Sequence, residues 1–478
     1  MCVHGHFYQP PREDPRTGEI EPEPSARPHA NWNERITAEC YRPLARQGTY
    51  ARMSFDFGPT LLCWLERKSP EVYQSVLQAD RESQKNFSGH GSAMALGYNH
   101  IILPLANRRD RVTQVVWGIR DFEWRFSRKP EGMWLPETAV DLETLEILAG
   151  QGIGFTVLAP HQAARVRFPP HGHWKKAGEQ GVDPRRAYEL RLPSKRRIQL
   201  FFYDEALSKA VAFEGMAADG AALAGRLGRA FSPEPSQAQL VHLASDGETF
   251  GHHHTGGDRA LDEALRQFER GTEARLTNYA EYLEKHPAIH EMEIVEKSSW
   301  SCPHGVDRWW SDCGCNSGAH PGWSQAWRTP LRNGLDWLRD SAAPLYEREG
   351  AKLVKDPWAA RDRAIDLWLD PSPECRRRFM EAQAGRPLSH EEQERLRKLL
   401  ELQRQALLMY TSCGWFFDDI GGIEAVIVLR HAARLIRLGE ELFGVSMEAR
   451  FLEILSEAKS NDPAIGDGRR VYETAVAG

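Results

Sequence analysis

Apolar positions along the chain fall into two regimes. Over about the first 300 residues, short apolar runs alternate with stretches of helical period. Residues 3–8 read as a buried strand, and residues 9–28, rich in proline and charge, as an ordered loop. Residues 53–57 give a second strand, followed by a helical stretch at 61–66. The signal is clearest around Trp134: residues 132–136 are extended, and 141–150 carry Leu142, Leu145 and Leu148 at helical spacing. Gly152 then stops the helix before a strand at 153–158. This is a βαβ unit. Further strands are predicted at Arg197–Phe202 and at residues 239–244.

From about residue 323 only helical periods remain. Ser389 and Glu392 form a capping box ahead of Leu396, Leu399, Leu400 and Leu407, and a second long helix runs from about 423 to 442. The pattern therefore predicts an α/β domain over 1–322, with room for one barrel, and an all-α C-terminal region over 323–478. Residues 467–478 open an amphipathic segment that stops without a cap or polar tail, which predicts that the chain continues.

Composition narrows the function. A chain of 478 residues with 41% hydrophobic content buries a large core. Its 61 basic and 67 acidic side chains, net −6, are dispersed, which argues against nucleic acid or an anionic membrane as partner. There is no signal-peptide pattern and no apolar stretch of bilayer length, so a cytoplasmic protein is expected. Eight cysteines are too few for a disulfide scaffold. Fifteen tryptophans suit sugar rings as well as core packing.

Two carboxylates stand at predicted strand ends, where barrel enzymes keep their chemistry. Glu137 closes Gly-Met-Trp-Leu-Pro-Glu, in which Pro136 keeps Leu135 extended and ends the strand. Asp246 follows the strand at 239–244, in the turn-forming Asp-Gly-Glu-Thr-Phe-Gly. At about 31 residues per βα unit the two acids are three to four units apart and face each other across a barrel mouth. Glycoside cleavage needs such a pair, one carboxylate for the anomeric carbon and one carboxylic acid for the leaving oxygen. Glu248 is a third acid, whose like charge raises a neighbouring carboxyl pKa. On spacing alone, a helix N-terminal glutamate and a turn aspartate account for the same residues equally well.

Taken together, these segments resemble glycoside hydrolase family 57, the α-amylase, glucanotransferase and glycogen-branching family. His4-Gly5-His6-Phe7-Tyr8-Gln9-Pro10 is similar to its first motif, with two additional residues before Gln9. Trp134-Leu135-Pro136-Glu137 is similar to the nucleophile motif, and Asp246-Gly247-Glu248-Thr249-Phe250-Gly251 to the acid/base motif. The resemblance covers about residues 2 to 340. It implies a seven-stranded (β/α) TIM-like barrel followed by helices, an oligo- or polysaccharide substrate and no cofactor. It further implies that Glu137 is the nucleophile of a retaining enzyme and Asp246 its acid/base, with His4, His6, Gln9, Trp134 and Glu248 in the sugar subsite. The family's second motif has a Gly-x-x-Glu core, whereas Gly97-Tyr98-Asn99-His100 has no glutamate. Residues 299–315 and 412–424 resemble a branch of the family for which no particular substrate is implied.

Other readings stay open. His4 and His6 share one strand face. With His252, His253 and His254 they would suit the zinc of a metal-dependent hydrolase or deacetylase, while the resemblance explains them without metal. A catalytically silent glucan-binding protein would keep the same fold. Cys302, His304, Cys313, Cys315 and His320 form either a structural metal site, with gaps tighter than usual, or a set of buried thiols. Trp415, at a break between two helices, is expected as a sugar platform or as a core turn.

Overall fold

The first strand, β1 (Cys2–Phe7), is buried at all six positions, the signature of a strand covered on both faces. It belongs to a computed structural model that describes residues 1–168, 172–233, 238–272 and 274–476. The chain divides into two units, one of residues 1–9, 21–97 and 122–301, the other of residues 10–20, 98–121 and 302–478.

In the first unit β1 pairs with β2 (Ser54–Phe57), which continues to β3 (Ala93–Leu96) and β4 (Met133–Trp134). A second set of strands follows: β5 (Phe155–Leu158), β6 (Ala163–Arg167), β7 (Lys175–Lys176), β8 (Ala187–Arg191) and β9 (Arg197–Phe202). β10 (His242–Asp246) returns to the other side of β1, and β11 (His290–Ile294) joins the second set. The result is a five-stranded parallel half-barrel, β10-β1-β2-β3-β4, and a six-stranded mixed sheet, β5-β9-β8-β11-β6-β7.

Two backbone links join the sheets at their edges. Gly132, just before β4, bridges in parallel to Phe155, and the Asp204 amide donates to the His242 carbonyl at 3.0 Å. Only glycine fits at 132, since a Cβ there would lie 2.3 Å from the Phe155 ring. Helices Pro59–Lys68 and Pro70–Asn86 connect β2 to β3, each with proline in its first turn. Leu142–Gly150 connects β4 to β5, capped by the Asp141 side chain on the Thr144 amide.

The strand expected at 132–136 is shorter than the sequence suggests. Pro136 removes a ladder donor, so the strand ends at Trp134 and a single 3₁₀ turn follows at Pro136–Thr138. β10 starts at His242 rather than 239, and Asp246 is its last residue rather than one that follows it. β3, β6, β7, β8 and β11 were not expected at all.

From Arg328 onward the second unit is helical, as the pattern predicts for the chain after about 323; it also takes in residues 10–20, 98–121 and 302–322, which the pattern assigns to the α/β domain. Its longest helices are Arg328–Gly350, His390–Leu408 and Ile423–Phe443, and the last two pack along each other. Ser389 and Glu392 make the reciprocal capping box. Asp467 caps the start of the helix Gly468–Ala475 on the Arg470 amide. Arg361 is buried, with its two terminal nitrogens engaged by Asp110 at 2.7 Å, Thr113 at 2.7 Å and Gln403 at 3.1 Å. Among the described residues, no helix is long and apolar enough to cross a membrane.

Candidate active site

Strand register brings the first polar cluster together. Across β10, β1 and β2, Asp246 stands opposite His6 and His6 opposite Asp56, while His4 stands opposite Ser54. Alternation along each strand then turns His4, His6 and Asp56 to one face. His4 Nε2 bonds Asp56 Oδ1 at 3.0 Å, His6 Nδ1 bonds Asp56 Oδ2 at 2.8 Å, and His4 Nδ1 lies 3.0 Å from Ser54 Oγ. Trp134 forms the floor: it is fully buried and stacks on both imidazoles, with centroids 4.6 Å from His4 and 5.5 Å from His6.

One buried carboxylate thus serves two imidazoles with different outcomes. For His4, burial outweighs Asp56 and lowers its pKa, so it is neutral. For His6, burial also lowers the pKa, but Asp56, Asp246 and Glu248 together overcome it and raise it to about 9. Asp56 is stressed by burial, yet its two histidines hold its pKa below the ordinary value.

Glu137 is placed by a strained turn. Its φ of 57° and ψ of 21° are left-handed, and Thr138 follows with φ 49°. Such residues cost about 1–2 kcal/mol each. Gln162, fully buried, brackets the turn: its Oε1 accepts from Thr138 Oγ1 at 2.9 Å and its Nε2 donates to the Thr138 carbonyl at 2.9 Å. The turn aims the Glu137 side chain at residues 300 and 301. Trp300 Nε1 donates to Glu137 Oε2 at 3.0 Å and Ser301 Oγ donates to the same oxygen at 2.7 Å. Both donors fall on one oxygen, Oε2.

Asp246 has the opposite surroundings. Water reaches it, yet protein crowds it closely enough that burial is the first cause of a pKa raised to about 6. His6 opposes the rise, while Glu137 and Asp56 add to it. The negative charges and the crowding act in one direction, and on that direction the chemistry rests. Glu248 is buried behind it, raised to about 7 by burial and then by Asp246, with Tyr41 Oη donating to it at 2.5 Å.

These residues lie within or beside a long stretch with known relatives. Residues 27–295, more than half of the chain, match glycosyl hydrolase family 57. The chain belongs to this family. Residues 323–478 separately match a domain of unknown function, DUF3536. Among curated proteins, α-amylase 1 of Dictyoglomus thermophilum is 29% identical over 103 residues, which are 21% of this chain and 14% of that protein, so the match spans about one seventh of its relative. An exo-type maltose-forming amylase from Pyrococcus sp. ST04 shares the fold with a TM-score of 0.68 at 17% identity, over 95% of this chain and 82% of that one. A family 57 branching enzyme from Pyrococcus horikoshii superposes with a TM-score of 0.61 at 16% identity, over 96% and 94% of the two chains.

Within this family 57 member, His4, His6, Trp134, Glu137, Asp246 and Glu248 all belong to the first unit and meet at the carboxyl ends of β1, β4 and β10. Gln9 is buried beside them, its carbonyl accepting from Thr60 Oγ1 at 2.9 Å and its side chain bonded to Tyr41. Trp415 belongs to the second unit. It is wholly buried there, its Nε1 donating to the Arg328 carbonyl at 3.3 Å. Of the remaining histidines, His252 bonds Glu39 at 2.5 Å and His254 bonds the Ala212 carbonyl at 2.9 Å, each away from His4 and His6. His100 is buried against Ser412 Oγ at 2.6 Å. Cys302, His304, Cys313 and Cys315 converge in the second unit, while His320 instead stacks on Trp323 at 3.9 Å.

Sequence reasoning missed Asp56, Gln162, Trp300, Ser301 and Tyr41. Asp56 carried a legible signal, an acid inside the apolar run Ser-Phe-Asp-Phe of a buried strand. The others act through contacts distant in sequence, Trp300 and Ser301 reaching Glu137 across more than 160 positions.

Proposed function

We propose that the protein is a retaining enzyme acting on α-glucans. Glu137 attacks the anomeric carbon and forms a glycosyl-enzyme. Asp246 protonates the departing oxygen, then takes the proton of the water or sugar hydroxyl that releases the glycosyl group. The observation that carries this reading is the asymmetry of the two acids. Glu137 accepts two hydrogen bonds on one oxygen, from Trp300 and Ser301, whereas Asp246 has its pKa raised to about 6 and can hold a proton near neutrality. His6, positive and opposite Asp246, limits that rise and stands ready to balance the charge when Asp246 loses its proton.

The substrate class follows from the relatives, named as amylase and branching enzyme. Ring closure fits the same picture: the edge links at Gly132 and Asp204 support a seven-stranded barrel of β1 to β5, β9 and β10, followed by the helical region from 323. None of the eight cysteines is paired in a disulfide, which supports a reducing compartment, the cytoplasm. Product analysis with amylose, glycogen and short maltooligosaccharides tests the reading. New reducing ends or altered chain lengths are expected. No change with any of the three would reject it.

A further inference from the structure

The loop that follows Ser301 carries four metal-type donors in one place. Cys302, His304, Cys313 and Cys315 each offer one ligand atom, and these atoms all lie within 4.8 Å of one another. Cys302 Sγ is 3.9 Å from Cys313 Sγ and 3.8 Å from Cys315 Sγ, and Cys315 Sγ is 3.6 Å from His304 Nδ1. A tetrahedral zinc ion, with bonds of about 2.3 Å to sulfur and about 2.0–2.1 Å to nitrogen, sets sulfurs about 3.8 Å apart and nitrogen about 3.6 Å from sulfur. These three edges match those of such a tetrahedron. They are nearly twice the length of a disulfide bond, about 2.05 Å.

We propose that Cys302, His304, Cys313 and Cys315 form a closed Cys₃His zinc site that staples residues 302–315 in the second unit. The backbone is built for it. Single-residue gaps bring two ligands onto one ion only if the chain curls, and Gly314, between Cys313 and Cys315, has φ 79° with open space where a Cβ would be. Gly305, directly after His304, has φ 85° and its amide donates to the Cys302 carbonyl at 3.1 Å. The amides of His304 and Arg308 also point at Cys302 Sγ, the pattern that supports a thiolate ligand. Three thiolates, a neutral imidazole and Zn²⁺ sum to one negative charge. Arg328 answers it, close enough to Cys313 and Cys315 to feel their charge and donating to the Cys315 carbonyl at 2.8 Å.

Four protein ligands leave no open coordination position, so the site is structural rather than catalytic. It also accounts for a long loop whose one regular element before the helix at Arg328 is the 3₁₀ turn Asp307–Trp309. Soft thiolates with one imidazole select zinc over magnesium or calcium.

The test is metal analysis of the full chain purified under reducing conditions, followed by cobalt(II) exchange. One zinc per chain is expected, with cobalt giving the intense thiolate-to-metal absorption of a tetrahedral sulfur site. That spectrum separates this site from any ion held by histidine and carboxylate alone. Cys315→Ser should lose the absorption and most of the zinc, whereas His304→Cys should keep both. Where a variant fails to fold, the wild-type metal content and cobalt spectrum still decide. Zinc well below one per chain, cobalt bound without the sulfur absorption, or a disulfide among Cys302, Cys313 and Cys315 would each overturn the proposal.

Discussion

Replacing Asp56 by asparagine should destabilise the first unit in a pH-dependent way. Asp56 accepts from His4 on one oxygen and from His6 on the other. An amide accepts on one side and donates on the other, so its bond to neutral His4 is kept only if that ring switches tautomer, and the negative charge that Asp56 offers His6 is lost. The pH-dependent part comes from His6, whose pKa is raised from 6.5 to about 9. At about 1.4 kcal/mol per unit this is a stabilisation of about 3 kcal/mol, counted once for the pair. Because the folded value lies above the unfolded one, that stabilisation is fully present below about pH 6.5 and is lost as pH rises through about 9. Asp246 and Glu248 also favour charged His6, so part of it survives in Asp56→Asn. Calorimetric melting of both proteins from pH 6 to 9.5 measures the difference. At about 2–4 °C per kcal/mol, the excess penalty at pH 6 over pH 9.5 should be several degrees and at most about 12 °C. A penalty that is constant with pH, or larger at pH 9.5, would refute the assignment of charge to His6.

Activity should fall as pH rises through about 6 in the free enzyme, since Asp246 must begin protonated, and kcat/KM profiles on a maltooligosaccharide would show this limb. Asp246→Asn should remove the limb and retain most rate with aryl glycosides whose leaving groups need no proton; equal losses on all substrates would count against an acid role. Trp415→Ala should destabilise the helical unit by about 3–5 kcal/mol, because the ring is wholly buried. A stable variant with weakened oligosaccharide use would restore the platform reading.

Much of the fold was legible because its periods are local. β1, β2, β5 and β9 lie at or within two residues of the expected runs, and the capping box at Ser389 and Glu392 is formed. The other strands of the mixed sheet escaped for a physical reason. β6 and β11 are short and charged, and their cross-strand pairs, Arg167–Glu291 and Arg165–Glu293 among them, meet only once register is set. Glu137 and Asp246 were legible because both sit at strand ends in turn-forming sequence. The hydrogen bonds around the Glu137 turn were not, since Gln162 comes from a segment with no motif of its own and the resemblance of residues 299–315 assigned nothing to Trp300 or Ser301. Trp415 shows where the sequence left two readings open. A glycine among aromatics fits a sugar platform or a core turn; the ring is wholly buried, and Gly414 lets the short helix Cys413–Phe416 pack, as a Cβ would lie 2.4 Å from Val428.

The most direct measurement of the central claim is to trap the glycosyl-enzyme. A slow fluorinated α-glucosyl fluoride should form a covalent adduct, and peptide mass spectrometry should place it on Glu137. In parallel, proton NMR of the first product released from a maltooligosaccharide should show the α-anomer, the retained configuration. Glu137→Ala should form no adduct and show no turnover while still binding the sugar. An adduct on a different carboxylate, or first release of the β-anomer, would contradict the account.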